Sequence, residues 1–268
     1  MIKIIAEIGW NHLGNMDLAE EMIVSAVRNG ADICKFQTWN VNNLKSGSWD
    51  KDGRREIYKK AQLSFEQHIQ LKNICDRENA EFATSISNIY DCSILKELDF
   101  SLIKIPSPEV NNLDLIRAAV EQFNIVLVST GAAKWNEVTQ IIEGISANNL
   151  VLMHCVSTYP CPIENINLPR LDKLSEISKQ VGYSGHYLGI DDAVAAICRG
   201  AIYIEKHFTI NSDLEGRDNK FSILPEDLKE LSEFRNNYEK MNLDLGLDLQ
   251  ECEIDTFENY RGRWSKDA

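Results

Sequence analysis

The sequence predicts an α/β fold, a (β/α)8 barrel. Eight short, β-branched apolar runs alternate with eight stretches of helical period along the chain. The runs are apolar throughout, as strands buried on both faces must be. An open doubly wound sheet would place a glycine-rich phosphate loop after its first strand, and neither G-x-G-x-x-G nor G-x-x-x-x-G-K-[ST] occurs. A chain of 268 residues also suits one barrel, since such barrels commonly run to about 250 residues.

The first strand is expected over 2–8 and the first helix over 15–29, where Ala19, Met22, Ile23, Ala26 and Val27 share one face and Gly30 ends it. The second strand, 31–37, leads into a polar, charged connection over 39–63 (SGSWDKDGRREIYKK at its centre), read as a lid or mobile surface loop. A helix over 65–78 and a strand over 81–86 follow. The alternation continues with helix 91–98, strand 101–106, helix 113–122, strand 124–130 and helix 134–145. Strand 149–155, helix 171–178, strand 180–184, helix 191–199, strand 201–207 and helix 225–241 complete it. The barrel is placed in residues 1–245, with 246–268 as a C-terminal tail.

A net charge of −13 argues against nucleic acid and anionic membranes as partners. An anionic substrate needs a pocket whose local cations outweigh that field. Seven cysteines without a Cys-x-x-Cys pair suit reduced thiols, hence a cytoplasmic protein. Glu7 interrupts the apolar N-terminus, so no signal-peptide core is expected, and no run approaches the ~20 apolar residues of a membrane span.

Barrels carry their chemistry at the C-terminal ends of the strands. Those ends hold Glu7, Asn11 and His12; Lys35 and Gln37; Thr84 and Ser85; Lys104, Ser107 and Glu109; and Ser129. The last three strands add His154, Ser157 and Tyr159; Tyr183, Ser184 and His186; and Glu205, Lys206 and His207. A single strand-end histidine is more often structural than functional, but four of the five histidines fall here. His186 and His207, on adjacent strands, can converge on one divalent cation. Lys35 and Lys104 among serines form an anion cradle; a Schiff-base lysine and a structural salt bridge are the competing readings. Cys155 follows His154 directly and Cys34 precedes Lys35, so alternation assigns both thiols to packing.

The blocks AEIGWNH (6–12), ADICKFQT (31–38), IKIPSPE (103–109), VSTGA (128–132), HCVSTYP (154–160), VGYSGHYLGI (181–190), IEKHFT (204–209) and GRDNKFS (216–222) lie in one order. Together they resemble the N-acetylneuraminate (sialic acid) synthase family, which includes the legionaminate and pseudaminate synthases. The resemblance runs from about residue 2 to about 240. It implies a barrel that condenses phosphoenolpyruvate with an N-acylated amino sugar aldehyde, giving a nonulosonic acid and phosphate.

Carried over by position, the resemblance implies a metal, manganese or magnesium, on His186 and His207, whose spacing of 21 residues matches the family. It implies phosphoenolpyruvate on Lys35, Lys104, Ser107, Ser129, Ser157, Tyr159 and Ser184. Glu7, Glu109 and Asp218 become the catalytic acids, and Asn11 and Gln37 the sugar contacts. The chain departs from the family at Gly185, where Tyr-Ser-Asp-His is common and the glycine is read as removing a carboxylate near the metal. It departs again at Asn219, where a histidine is common, and at Thr84-Ser-Ile-Ser after the third strand. The family's second, antifreeze-like domain has no counterpart in these residues: either it was removed, or a partner supplies it, with a homodimer or a separate chain as the candidates, or the substrate is bound differently. A pyruvate-dependent barrel aldolase and a non-catalytic barrel subunit are the alternative readings.

Overall fold

Side chains alternate between the two faces of a strand, so a closed parallel sheet sorts every second residue into the barrel and the rest towards the helices. In the computed structural model, which describes residues 1–264, eight parallel strands close in chain order. They are β1 (Lys3–Gly9), β2 (Ile33–Gln37), β3 (Glu81–Ser85), β4 (Leu102–Ile105), β5 (Ile125–Ser129), β6 (Leu150–Cys155), β7 (Val181–Gly185) and β8 (Tyr203–His207). Each predicted strand is present, with bounds that differ by one or two residues.

The outer layer holds α1 (Met16–Arg28), α2 (Arg54–Ala61), α3 (Phe65–Arg77), α4 (Ile89–Leu95) and α5 (Leu113–Gln122). It continues with α6 (Trp135–Gly144), α7 (Pro169–Ile177), α8 (Asp191–Cys198) and α9 (Pro225–Met241), and α10 (Ile254–Asn259) follows. Asn15, Ser64, Asn88 and Asn112 each accept a backbone N–H at the start of α1, α3, α4 and α5, which satisfies donors a helix terminus otherwise leaves free. The α1 helix buries Ala19, Met22, Ile23 and Ala26, its predicted face. Each large apolar chain there contributes about 1.5–3 kcal/mol. Gly30 then takes φ +95°, a left-handed turn that glycine adopts without strain.

Two apolar layers result. Ile5, Ile33, Ala83, Leu102, Leu127, Val151, Met153 and Tyr203 fill the lower barrel interior. The other phase of the strands, including Ile4, Cys34, Phe36, Phe82, Ile103 and Ile204, packs under the helices. Arg235 of α9 ties the barrel's lower rim by donating to the Ile2 carbonyl and to Asp32.

The connection over 39–63 is more ordered than a loop. It carries α2 and short 3-10 turns at Val41–Asn43 and Ser48–Asp50, and Trp39 Nε1 donates to the Tyr58 carbonyl at 3.0 Å. Helical pattern was hidden there because α2 buries only Ala61 and so shows almost no apolar stripe. Beyond α9 the described residues are exposed, α10 included, and the last four residues of the predicted tail lie outside the described residues.

Candidate active site

Two residues above the last interior position of each strand, apolar in seven strands and Gly182 in β7, stands a chemically active side chain. From β1 to β8 these are Glu7, Lys35, Ser85, Lys104, Ser129, Cys155, Ser184 and Glu205, and all eight line one cavity of about 500 Å³ at the C-terminal end of the barrel. That size falls within the ordinary range for small-molecule sites. The strand register brings Glu7 beside Lys35, Ser85 beside Lys104, and Ser184 between Cys155 and Glu205.

Four of the eight form a buried charge cluster. Lys35 Nζ lies 2.5 Å from Glu7 Oε2 and 3.7 Å from Glu205 Oε1, and Lys104 Nζ lies 2.7 Å from Glu205 Oε2. Ser184 donates to Glu205 at 3.0 Å and Gln37 to Glu7 at 2.5 Å. The two carboxylates are driven apart in acidity. Burial raises Glu7 to about 7, with Lys35 opposing it. Burial acts the same way on Glu205, but Lys104 and Lys35 together overcome it and hold that carboxyl down at about 2. Lys104 is lowered by burial, whereas on Lys35 burial is outweighed by Glu205 and Glu7 and the net shift is upward. One carboxylate is thus firmly ionised and the other poised near neutrality, an arrangement that separates electrostatic and proton-transfer roles.

A glycine builds the adjoining cradle. A β-carbon at Gly131 would lie 2.4 Å from Ser157 Oγ, 2.8 Å from Ser107 Oγ and 3.1 Å from Cys155 Sγ. Only a residue without a side chain lets those groups converge, and its N–H donates to Ser107 at 3.1 Å. Ser129 lines the same cavity. On the β3 side, Ser85 and Ser87, two of the departures noted in the sequence, add hydroxyls to the wall.

His186 and His207, at the ends of the adjacent strands β7 and β8, lie side by side on the cavity wall with ring centroids 5.5 Å apart. His186 Nδ1 is 2.8 Å from the Val156 carbonyl. Burial lowers His186 to about 4 and His207 well below its usual value, so both are neutral at pH 7. A neutral His186 that donates through Nδ1 keeps its lone pair on Nε2. His207 Nδ1 has no hydrogen-bond partner and sits 3.5 Å from Asp218 Oδ2. Two neutral imidazoles on one wall, one fixed through a backbone carbonyl, fit a divalent cation. Among the described residues no third His, Cys, Asp or Glu gathers with them as a metal cluster, so water and substrate would supply the remaining ligands. Tyr159 lies against His186, ring centroids 4.1 Å apart and planes tilted by 46°, while staying 42% exposed. Burial raises Asp218 to about 6, and it too lines the cavity.

Several expected placements are corrected. Asn11 is buried away from the cavity, donating to the Phe208 carbonyl and Ser222 Oγ, so it braces the segment after β8. Glu109 does not line the cavity and accepts from Asn112 at 3.0 Å. Cys155 is not a helix-side packing residue: it faces the cavity in phase with Val151 and Met153. His154 points outward instead, 2.7 Å from the Ile166 carbonyl. His12 is likewise buried against Phe36. Asn219 joins Thr209 to the Glu215 carbonyl and stays outside the cavity lining. Gly185 removes no carboxylate from the metal side, since a β-carbon there would point at Asp192 of α8.

Strand-end listing without phase missed the role of Glu205, yet Glu205 and His207 share a face at a spacing of two. The upper wall was not legible. Trp10 stacks on Tyr58 at 5.0 Å, and Trp39, Arg54 and Arg217 complete it, brought together from three distant segments.

The NeuB family model matches residues 22–244. The N,N'-diacetyllegionaminic acid synthase of Campylobacter jejuni is 32% identical over 245 residues, covering 85% of this chain and 73% of the synthase. The pseudaminic acid synthase of the same species is 33% identical over 265 residues, 93% of this chain and 77% of that one. The crystal structure of an N-acetylneuraminic acid synthetase from Leptospira borgpetersenii, with citrate, superposes with a TM-score of 0.86 at 29% identity, covering 99% of this chain and 93% of that one. No helix among the described residues is long and apolar enough to cross a membrane.

Proposed function

We propose that this chain, an enzyme that belongs to the NeuB family, condenses phosphoenolpyruvate with an N-acylated amino sugar aldehyde, giving a nonulosonic acid and inorganic phosphate. The observation that carries the reading is the convergence on one cavity of two lysines, the hydroxyls of Ser107, Ser129 and Ser184, and a neutral histidine pair, with Ser157 beside Ser107 at Gly131. Lys35 and Lys104 with Ser107, Ser129, Ser157, Ser184 and Tyr159 hold the anionic donor. His186 and His207 would hold manganese or magnesium, which when bound supplies a Lewis acid for the acceptor carbonyl.

C3 of the enol phosphate attacks the aldehyde carbon, whose oxygen takes up a proton. The positive charge that develops at C2 faces Glu205, which stays ionised at about 2. Water adds at C2, and Glu7 or Asp218, raised to about 7 and about 6, accepts its proton. The tetrahedral centre then expels phosphate by C–O cleavage, leaving the 2-keto acid. Gln37, hydrogen-bonded to Glu7, fixes that carboxyl's orientation. Seven unpaired cysteines support a cytoplasmic location.

The test is phosphate release from phosphoenolpyruvate with manganese and a panel of N-acetylated hexosamines, with and without chelator. Release that a chelator abolishes and manganese restores is the expected result. No release with any of them overturns the synthase reading, and borohydride trapping of a lysine with pyruvate would replace it with an aldolase.

A further inference from the structure

Behind β7 and β8, on the helix side, lies a second buried charge cluster that this chemistry does not use. Asp192, in the first turn of α8, accepts from Lys206 Nζ at 3.0 Å on both oxygens, from the Tyr183 hydroxyl at 2.9 Å and from the Ala193 N–H at 2.8 Å. Lys206 Nζ also donates to the Tyr187 carbonyl at 2.8 Å. All three side chains are buried.

Its placement relates it to the cavity. Lys206 immediately precedes His207, and Tyr187 immediately follows His186, so one ammonium grips the backbone beside both imidazoles. Tyr183 anchors the same carboxylate to β7, three residues before His186. Gly185 makes the arrangement possible, because a β-carbon there would lie 2.3 Å from Asp192 Oδ2 and 2.6 Å from Tyr183 Cε1. The carboxylate of Asp192 occupies the space a side chain at 185 would need.

We infer that Asp192 is a positioning residue for the His186–His207 pair, and that Gly185 and Asp192 form a reciprocal pair in which one carboxylate, delivered from α8 or from β7, must fill one buried position beside Lys206. A buried lysine needs an anion, the space admits one, and a side chain at both places collides.

A thermal double-mutant cycle tests the pairing without any substrate. Asp192→Ala leaves Lys206 without its anion, and Gly185→Asp crowds the carboxylate already present, so each is expected to lower Tm by about 5 °C or more. The double variant Gly185→Asp/Asp192→Ala restores one carboxylate and frees the Tyr183 ring from its tether, so its Tm is expected above that of either single variant. Losses that simply add overturn the pairing.

Positioning is tested with the milder Asp192→Asn, which keeps the size and most hydrogen bonds. Its manganese affinity, measured by calorimetry on the protein alone, is expected to fall 10- to 100-fold. In the condensation assay kcat falls while the KM for phosphoenolpyruvate holds. Wild-type manganese affinity and kcat in a folded Asp192→Asn variant overturn the positioning role. The positioning arm rests on the proposed function, whereas the thermal cycle does not. A wild-type protein that neither binds manganese nor releases phosphate therefore defeats the functional reading and the positioning role, and leaves the Gly185–Asp192 pairing to the Tm values.

Discussion

The ends of β7 and β8 carry buried charge on both faces, and the two faces are built differently. On the cavity side, Lys35 and Lys104 share Glu205 while Glu7 is pushed towards neutrality. On the helix side, Asp192 accepts four hydrogen bonds from Lys206, Tyr183 and its own helix N-terminus. In the second cluster Asp192, Lys206 and Tyr183 are all buried and pair with one another. The first opens onto about 500 Å³ and leaves a carboxyl that can still exchange a proton. A buried charge network that is fully satisfied fixes geometry, and one that is imperfectly balanced beside a cavity is suited to chemistry.

The largest expected effect is on the cavity cluster itself. Glu205→Gln leaves Lys104 without an anion and Lys35 with Glu7 alone, and should cost roughly 3 kcal/mol in denaturant unfolding. Inorganic phosphate should recover part of that loss but none of the loss in Asp192→Ala, whose cluster is buried behind β7 and β8. Equal recovery in both would erase the distinction between the two clusters.

Next comes Lys104→Ala, which should raise the KM for phosphoenolpyruvate roughly 100-fold, the scale of a charged hydrogen bond. Wild-type affinity would remove that lysine from the donor site.

A smaller effect separates the two carboxylates by pH. Glu7 is raised from 4.5 to about 7 in the folded chain, so the native state holds its proton more tightly than the unfolded chain does. Its contribution to stability is therefore present below pH 4.5 and lost as pH rises through about 7. Glu7→Gln cannot lose it, so Tm of the variant relative to wild type should climb across that window. A flat difference would show that Lys35 keeps Glu7 ionised throughout.

The smallest is Tyr159→Phe. It keeps the ring against His186 and removes only the hydroxyl proposed to contact the donor, so the KM for phosphoenolpyruvate should rise about threefold, the scale of one neutral hydrogen bond. An unchanged KM would remove that hydroxyl from the donor site.

Much of this was legible in the chain because it depends on short-range periodicity. Apolar runs and helical faces marked all eight strands and eight of the helices. Lys35, Lys104, Ser129, Ser184, His186 and His207 were found at strand ends because a parallel barrel must present those ends together. Phase was the weak point. His154 and Cys155 were assigned to opposite faces correctly but the faces were exchanged, since a strand's alternation does not say which side is inside. The apolar positions Val151 and Met153 settle it only once the barrel interior is known.

By itself, then, the sequence determined the barrel, its strand order and the family, all encoded in local pattern and in motifs read along the chain. Tertiary structure alone decided which charges meet. It paired Glu205 with two lysines from strands far apart in sequence. It stacked Tyr58 of a helix with almost no apolar stripe against Trp10. It also set Asp192 in the space that Gly185 leaves. The reason is that burial and ion pairing depend on distances across the closed sheet, and those distances exist only after the last strand has joined the first.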